Sequence, residues 1–90
     1  QELLDSFVTR LRQNAEEAEV ASLSGNRDEL VRIAHRLRGA AGSFGFMPIS
    51  DAAGVVEETA QAGGDTKESI ARLVSMCRRA RTRAPVAEAA

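Results

Sequence analysis

Apolar residues recur at helical spacing in four stretches of this 90-residue chain. The first stretch runs from about Glu2 to Leu23, the second from near Arg27 to near Gly45, the third from Met47-Pro48 to about Ala62, and the fourth follows Asp65. No stretch alternates with a period of two, so no strand is predicted. Four amphipathic helices joined by short loops favour an all-α fold, an antiparallel up-down four-helix bundle.

The periodicity also predicts which side chains form the core. The expected core positions are Leu4, Phe7, Val8, Leu11, Ala15 and Ala18, then Leu30, Ile33, Ala34, Leu37, Ala40, Ala41 and Phe44, then Ile49, Ala52, Ala53, Val56 and Ala60, and finally Ile70, Leu73, Val74, Cys77 and Ala80.

Turn residues separate the helices. Gly25 suits the left-handed position that follows a helix, and Gly63-Gly64 breaks the third helix. Asn26 with Glu29 predicts a capping box on the second helix, and Asp65 with Glu68 predicts another on the fourth. Pro48 is tolerated in a first helical turn, and Asp51 is expected near that N-terminus, where it suits the helix dipole.

The single histidine of the chain, His35, lies on the second helix. At about 100° per residue its side chain points nearly opposite to the core face, so the ring is expected to face solvent. An isolated helical histidine is most often structural. A structural histidine is either packed in the core or inert on the surface. The predicted direction of the side chain excludes the core position, whereas an inert surface histidine remains an alternative.

Two glycines interrupt the same helix after His35. Each interior helical glycine costs on the order of 1 kcal/mol relative to alanine. Side chains lean toward the helix N-terminus, so a residue at position 39 would lie over His35, and Gly39 removes it. Arg38 can bring its guanidinium to the imidazole. Close helix–helix contact is the alternative explanation for Gly39 and Gly42.

Composition excludes several classes of function. The net charge is −1 with no Trp or Tyr, which gives no case for nucleic-acid binding. One Cys and one His make neither a disulfide nor a zinc site. No apolar run is long enough to span a membrane. We expect a soluble cytoplasmic domain with a bundle over residues 1–84 and a frayed tail or linker over 85–90, cut from a longer protein.

The run His35-x-Leu37-Arg38-Gly39-x-x-Gly42-x-Phe44-Gly45 resembles the signature of histidine phosphotransfer (HPt) domains, which relay phosphoryl groups in two-component systems. The similarity continues through Ala53, Val56, Glu57 and Ala60. It extends to the phosphotransfer domain of chemotaxis histidine kinases. The chain departs from the family pattern at one position. The cation three residues after the histidine is usually Lys and is Arg38 here, so a planar guanidinium replaces a compact ammonium group.

The resemblance implies a function and a set of site residues. His35 would accept a phosphoryl group on Nε2 from the phospho-aspartate of a response-regulator receiver domain, with Arg38 offsetting its charge. Glu57 would orient the imidazole, although a solvated surface glutamate is an alternative. A receiver would dock on the face around the histidine, which comprises Val31, Arg36, Gly39, Gly42, Ser43 and Phe46.

The same resemblance implies what the domain lacks. No cofactor or metal of its own is expected, since Mg²⁺ would belong to the receiver. The upstream partner would be a sensor histidine kinase, and the chain has no Gly-rich ATP loop, so it is expected to be a relay intermediate without kinase machinery. A chemotaxis-kinase phosphotransfer domain and a purely protein-interacting bundle are the alternatives.

Overall fold

The computed structural model describes the backbone of residues 2–80 and the side chains of residues 5–80, and within this part of the chain all regular structure is helical. The four helices are α1 (Glu2–Leu23), α2 (Arg27–Ser43), α3 (Met47–Gln61) and α4 (Lys67–Arg79). Each helix packs on the next in the chain, and α4 packs back on α1, whereas helices on opposite corners have no Cα atoms within 8 Å of each other among the described residues. The prediction of an all-helical four-helix bundle is therefore confirmed.

Three helices end in the same way. Gly25, Gly45 and Gly63 have φ values of 75°, 84° and 79°. In each case the next residue donates its N–H to the carbonyl five residues back: Asn26 to Ala21 at 2.9 Å, Phe46 to Ala41 at 2.8 Å and Gly64 to Thr59 at 2.9 Å. This is the Schellman arrangement, which satisfies helix-end carbonyls and reverses the chain within a few residues.

The helix starts depart from the predicted capping boxes. Asn26 does cap α2, because its Oδ1 accepts from the Glu29 N–H at 3.3 Å. A capping box also needs the Glu29 side chain to accept from the Asn26 N–H. That part of the prediction is wrong, since the Asn26 N–H donates to the Ala21 carbonyl. The box at Asp65 is also wrong.

At the start of α4, Asp65 Oδ1 accepts from the N–H of Lys67 at 2.9 Å, two residues on, and Thr66 is the N-cap residue. A short Asp side chain bonds the backbone two residues ahead in such turns, so it serves the turn and not the first helical hydrogen bonds. The α3 start carries Pro48 in its first turn as predicted, but Asp51 falls beyond that turn.

The predicted core positions of α1, α3 and α4 are buried wherever the structure describes the side chain; Leu4 lies outside that range. On α2, Leu30, Ile33, Ala34, Leu37 and Ala41 are buried, whereas Ala40 is only half-buried. The prediction that Phe44 is a core residue is wrong. Phe44 follows the last residue of α2 and is 39% exposed, with its ring stacked on that of Phe7 at 4.2 Å between centroids.

Two arginines bind carbonyl groups near helix ends. Arg12 on α1 donates from Nη2 to the carbonyl of Ala80 at 3.0 Å. Arg27 on α2 donates from Nη1 to the carbonyls of Ala60 at 3.1 Å and Gly64 at 3.2 Å. Carbonyls at helix C-termini lack intrahelical partners, so these bonds fasten α4 to α1 and α3 to α2. Among the described helices, none combines the length and the apolarity needed to cross a bilayer.

Candidate functional site

The imidazole of His35 stands on the outer surface of α2. Its side chain is 73% exposed, whereas Ala34 and Leu37 on the same helix are completely buried. The prediction that this ring faces solvent is confirmed, because the periodicity that assigns the core face of an amphipathic helix also assigns the opposite face.

Glu57 of α3 makes a hydrogen bond with that ring. Its Oε2 lies 2.9 Å from His35 Nδ1, and its side chain is only 10% exposed. If the carboxylate is ionised it can only accept, and this hydrogen bond then requires the tautomer with the proton on Nδ1. In a neutral ring Nε2 then holds the lone pair, which is the arrangement required of a nucleophile.

Arg38 binds the other oxygen of the same carboxylate. Its Nη1 donates to Glu57 Oε1 at 3.3 Å, and its side chain is 51% exposed. The sequence predicts a guanidinium at the imidazole itself, whereas the structure places it on Glu57, which lies between the two groups. The carboxylate therefore binds one α2 side chain with each oxygen.

The two glycines that follow His35 have different surroundings. A Cβ at Gly39 would meet nothing within 4 Å, so close helix contact does not explain this residue. Since His35 is also beyond that distance, only a side chain longer than alanine would cover the ring. A Cβ at Gly42 would lie 3.5 Å from Ser50 Oγ, an ordinary contact with α3.

The residues predicted to surround the histidine divide into two groups. Arg36 and Ser43 are exposed, and Arg36 Nη2 lies 3.9 Å from Glu17 Oε1 of α1. Val31 and Phe46 are half-buried and pack against the hydrophobic core, and the Phe46 ring lies 5.5 Å from that of Phe7. These two apolar residues contribute to bundle packing as well as to the surface.

Two further residues of α3 contact the site and are missed by sequence reasoning. The buried Ser50 donates from Oγ to the carbonyl of Arg38 at 2.9 Å. The buried Gly54 lies under the Arg38 side chain. The available signal was the spacing of Ser50, Gly54 and Glu57, which are four and three residues apart and so share one face of a helix.

The single cysteine of the chain, Cys77, lies away from this site. Cys77 is completely buried in α4, and this burial raises the pKa of its thiol from 9.0 to about 11. A thiol with so high a pKa is a packing group and not a reactive one. Among the side chains of residues 5–80, no three His, Cys, Asp or Glu are grouped so that they could hold a metal ion.

The fold and the site together define a helical bundle that presents one hydrogen-bonded imidazole to solvent. Comparison with protein families agrees: the sequence model of the Hpt domain matches residues 2–83. The chain belongs to the Hpt domain family, whose members carry phosphoryl groups on a histidine in phosphorelays. Searches of curated proteins and of solved structures each give no match.

Proposed function

We propose that His35 accepts a phosphoryl group from the phospho-aspartate of a receiver domain and passes it to a second receiver. The observation that carries this proposal is the ring's hydrogen bond from Nδ1 to Glu57 at 2.9 Å, made while the side chain stays 73% exposed. This arrangement holds the ring in one orientation and leaves Nε2 accessible to a partner protein.

The proposed step is an in-line displacement at phosphorus. The Nε2 lone pair forms the N–P bond as the bond from phosphorus to the aspartyl oxygen breaks, and the electron pair of that bond leaves with the aspartate carboxylate. Nδ1 keeps its proton, so the ring gains positive charge during transfer. The Glu57 carboxylate, at 2.9 Å, offsets that charge. Onward transfer is the reverse of these changes, on a different receiver.

Arg38 supplies positive charge on the other side of the carboxylate. Its guanidinium is half exposed and uses Nη1 for Glu57, so other N–H groups remain for phosphoryl oxygens. Mg²⁺ would come with the receiver, whose acidic pocket holds the phospho-aspartate. Arg36, Gly39, Gly42, Ser43, Val31 and Phe46 would form the docking face around the histidine.

We also infer that neighbouring helices run in opposite directions. Contacts between α2 and α3 support this, since the start of α2 meets the end of α3 through Arg27 and Ala60 and the end of α2 meets the start of α3 through Gly42 and Ser50. The antiparallel arrangement places His35 and Glu57 at the same level of the bundle.

The test is transfer from a receiver labelled with ³²P at its aspartate. We expect the purified chain to take up acid-labile, base-stable label, and we expect His35→Gln to take up none while keeping its helical circular dichroism. Because the chain has one histidine, no second imidazole can substitute. Label that persists in His35→Gln would overturn the assignment of the acceptor.

Two other outcomes separate the alternatives. Label that arrives from a chemotaxis-type kinase domain with ATP, and not from any receiver, would assign the chain to that group. A chain that accepts label from neither source would be a protein-interaction bundle. In that bundle His35 would be an inert surface residue.

A further inference from the structure

Paired positions on α2 and α3 form a polar seam, which we define as His35, Arg38 and Gly42 facing Ser50, Gly54 and Glu57. Gly42 meets Ser50, Arg38 meets Ser50 and Gly54, and His35 meets Glu57. Within this seam Arg38 is held at two points by α3. Its carbonyl accepts from Ser50 at 2.9 Å, and its Nη1 binds Glu57 at 3.3 Å.

Gly54 lies between those two points. A Cβ at this position would lie 3.5 Å from Nε, 3.6 Å from Cδ and 3.8 Å from Cζ of Arg38. The three nearest atoms all belong to that one side chain. These are ordinary van der Waals distances, so a residue as small as glycine or alanine leaves room for Arg38 to cross α3, whereas a longer side chain does not.

We propose that Gly54 is a positioning residue for Arg38. The small size of this residue leaves the space through which the guanidinium crosses α3 to reach Glu57, and this fixes the positive charge on the carboxylate that binds His35. The proposal rests on the proposed function and adds a residue that the sequence signature around the histidine does not include.

The distances from a Cβ at Gly54 to Arg38 predict which side chains fit at position 54. A methyl group at position 54 would make ordinary van der Waals contact with Arg38, so alanine fits without displacement. A leucine would occupy the volume through which the guanidinium passes. Because that guanidinium is already half exposed, it would move outward into water and leave Glu57 Oε1 unpaired.

The experiment compares Gly54→Leu with the matched control Gly54→Ala in the receiver assay. We expect Gly54→Ala to stay within about twofold of wild type. Gly54→Leu should slow transfer on the order of tenfold, less than the roughly 10²–10³-fold typical of losing a charge-stabilising donor from an enclosed site, because the Arg38 side chain is half exposed. If the leucine variant does not fold, Gly54→Met replaces it, since an unbranched chain adapts more easily.

A double-mutant cycle separates positioning from a general effect on the helix. In an Arg38→Ala background, Gly54→Leu should have no further effect beyond about twofold. A tenfold effect that persists without Arg38 would overturn the proposal, as would a wild-type rate in Gly54→Leu.

A second readout does not depend on transfer. The side-chain Nε–H signal of Arg38 in ¹⁵N NMR should shift in Gly54→Leu and in Glu57→Ala, and stay in place in Gly54→Ala. If wild type accepts no label, the proposed function fails. The NMR comparison then still decides whether Gly54 positions Arg38, and an unmoved signal in Gly54→Leu rejects it.

Discussion

A carboxylate that is 10% exposed is unusual unless its oxygens are paired, and both oxygens of Glu57 are. Its neighbour Glu58 has the same chemistry but is exposed and belongs to the solvent face of α3. The difference between the two residues arises only from the rotation of α3 against α2. Glu57 therefore binds both α2 side chains from a largely buried position, and substitutions can separate its effect on stability from its proposed effect on His35.

We expect Glu57→Ala to slow phosphoryl transfer to His35 by about tenfold, which corresponds to losing one orienting hydrogen bond of ~1.4 kcal/mol. Glu57→Gln keeps an acceptor for Nδ1 and should stay within about threefold. The free energy of unfolding should fall by less than ~1 kcal/mol in both variants, because the half-exposed Arg38 regains water. Single-turnover transfer and urea denaturation measure these quantities.

Glu58→Ala is the matched control, since it removes an exposed carboxylate from the adjacent position of the same helix. It should change neither measurement beyond about twofold. A Glu57→Ala protein that transfers at the wild-type rate would leave Glu57 as a packing residue and would remove the proposed reason for the ring's orientation.

At the scale of helices, glycines in α2 and the turn that follows it have opposite effects on stability. Gly39 is helical and its Cβ position is empty, whereas Gly45 has φ of 84°. Gly39→Ala should stabilise the domain by about 0.5–1 kcal/mol through helix propensity. Gly45→Ala should destabilise it by about 1–2 kcal/mol, because an L-residue is strained in the left-handed region. Thermal unfolding followed by circular dichroism measures both changes.

The same pair tests the steric account of Gly39. Gly39→Ala should accept phosphoryl groups at the wild-type rate, whereas Gly39→Leu should fold well and yet transfer poorly, because a longer side chain would lie over His35. Rapid transfer by Gly39→Leu would contradict this account and leave helix propensity as the only effect of the residue.

Helix positions could be predicted from the sequence because the signals are local. The Schellman glycines Gly25, Gly45 and Gly63 lie in the chain where the apolar period stops, and each of these helices ends two residues before its glycine. The capping at Asp65 could not be predicted in the same way. There the choice between bonding two or three residues ahead depends on how the chain leaves Gly63 and enters α4.

The inter-helix part of the site could not be predicted from periodicity. The pairing of Gly54 with Arg38 depends on the register between α2 and α3, and a hydrophobic period fixes which face is buried without fixing which residues lie opposite each other. For Glu57 the orienting role came only from the resemblance to HPt domains, and a solvated surface glutamate stayed open as the alternative. Ser50 and Gly54 share a helix face with Glu57 by their spacing, but that spacing does not name the α2 residues opposite them.

At the scale of the whole molecule, the described part of the bundle contains one titratable group whose pKa is shifted far from its ordinary value. Cys77 is completely buried, and desolvation raises the pKa of its thiol from 9.0 to about 11. The folded state thus keeps a proton that the unfolded chain loses between these two values. Stability due to this group is complete below about pH 9 and is lost as the pH rises toward about 11.

We therefore expect the free energy of unfolding to fall by roughly 2–3 kcal/mol more in wild type than in Cys77→Ala between about pH 9 and 11. The alanine variant leaves a small cavity, so it should be less stable at neutral pH, and the comparison concerns the slope with pH and not the absolute value. Urea denaturation across this range measures the slope. Parallel slopes in the two proteins would mean that the thiol reaches water in the folded state, and the core around α4 would then be looser than its burial indicates.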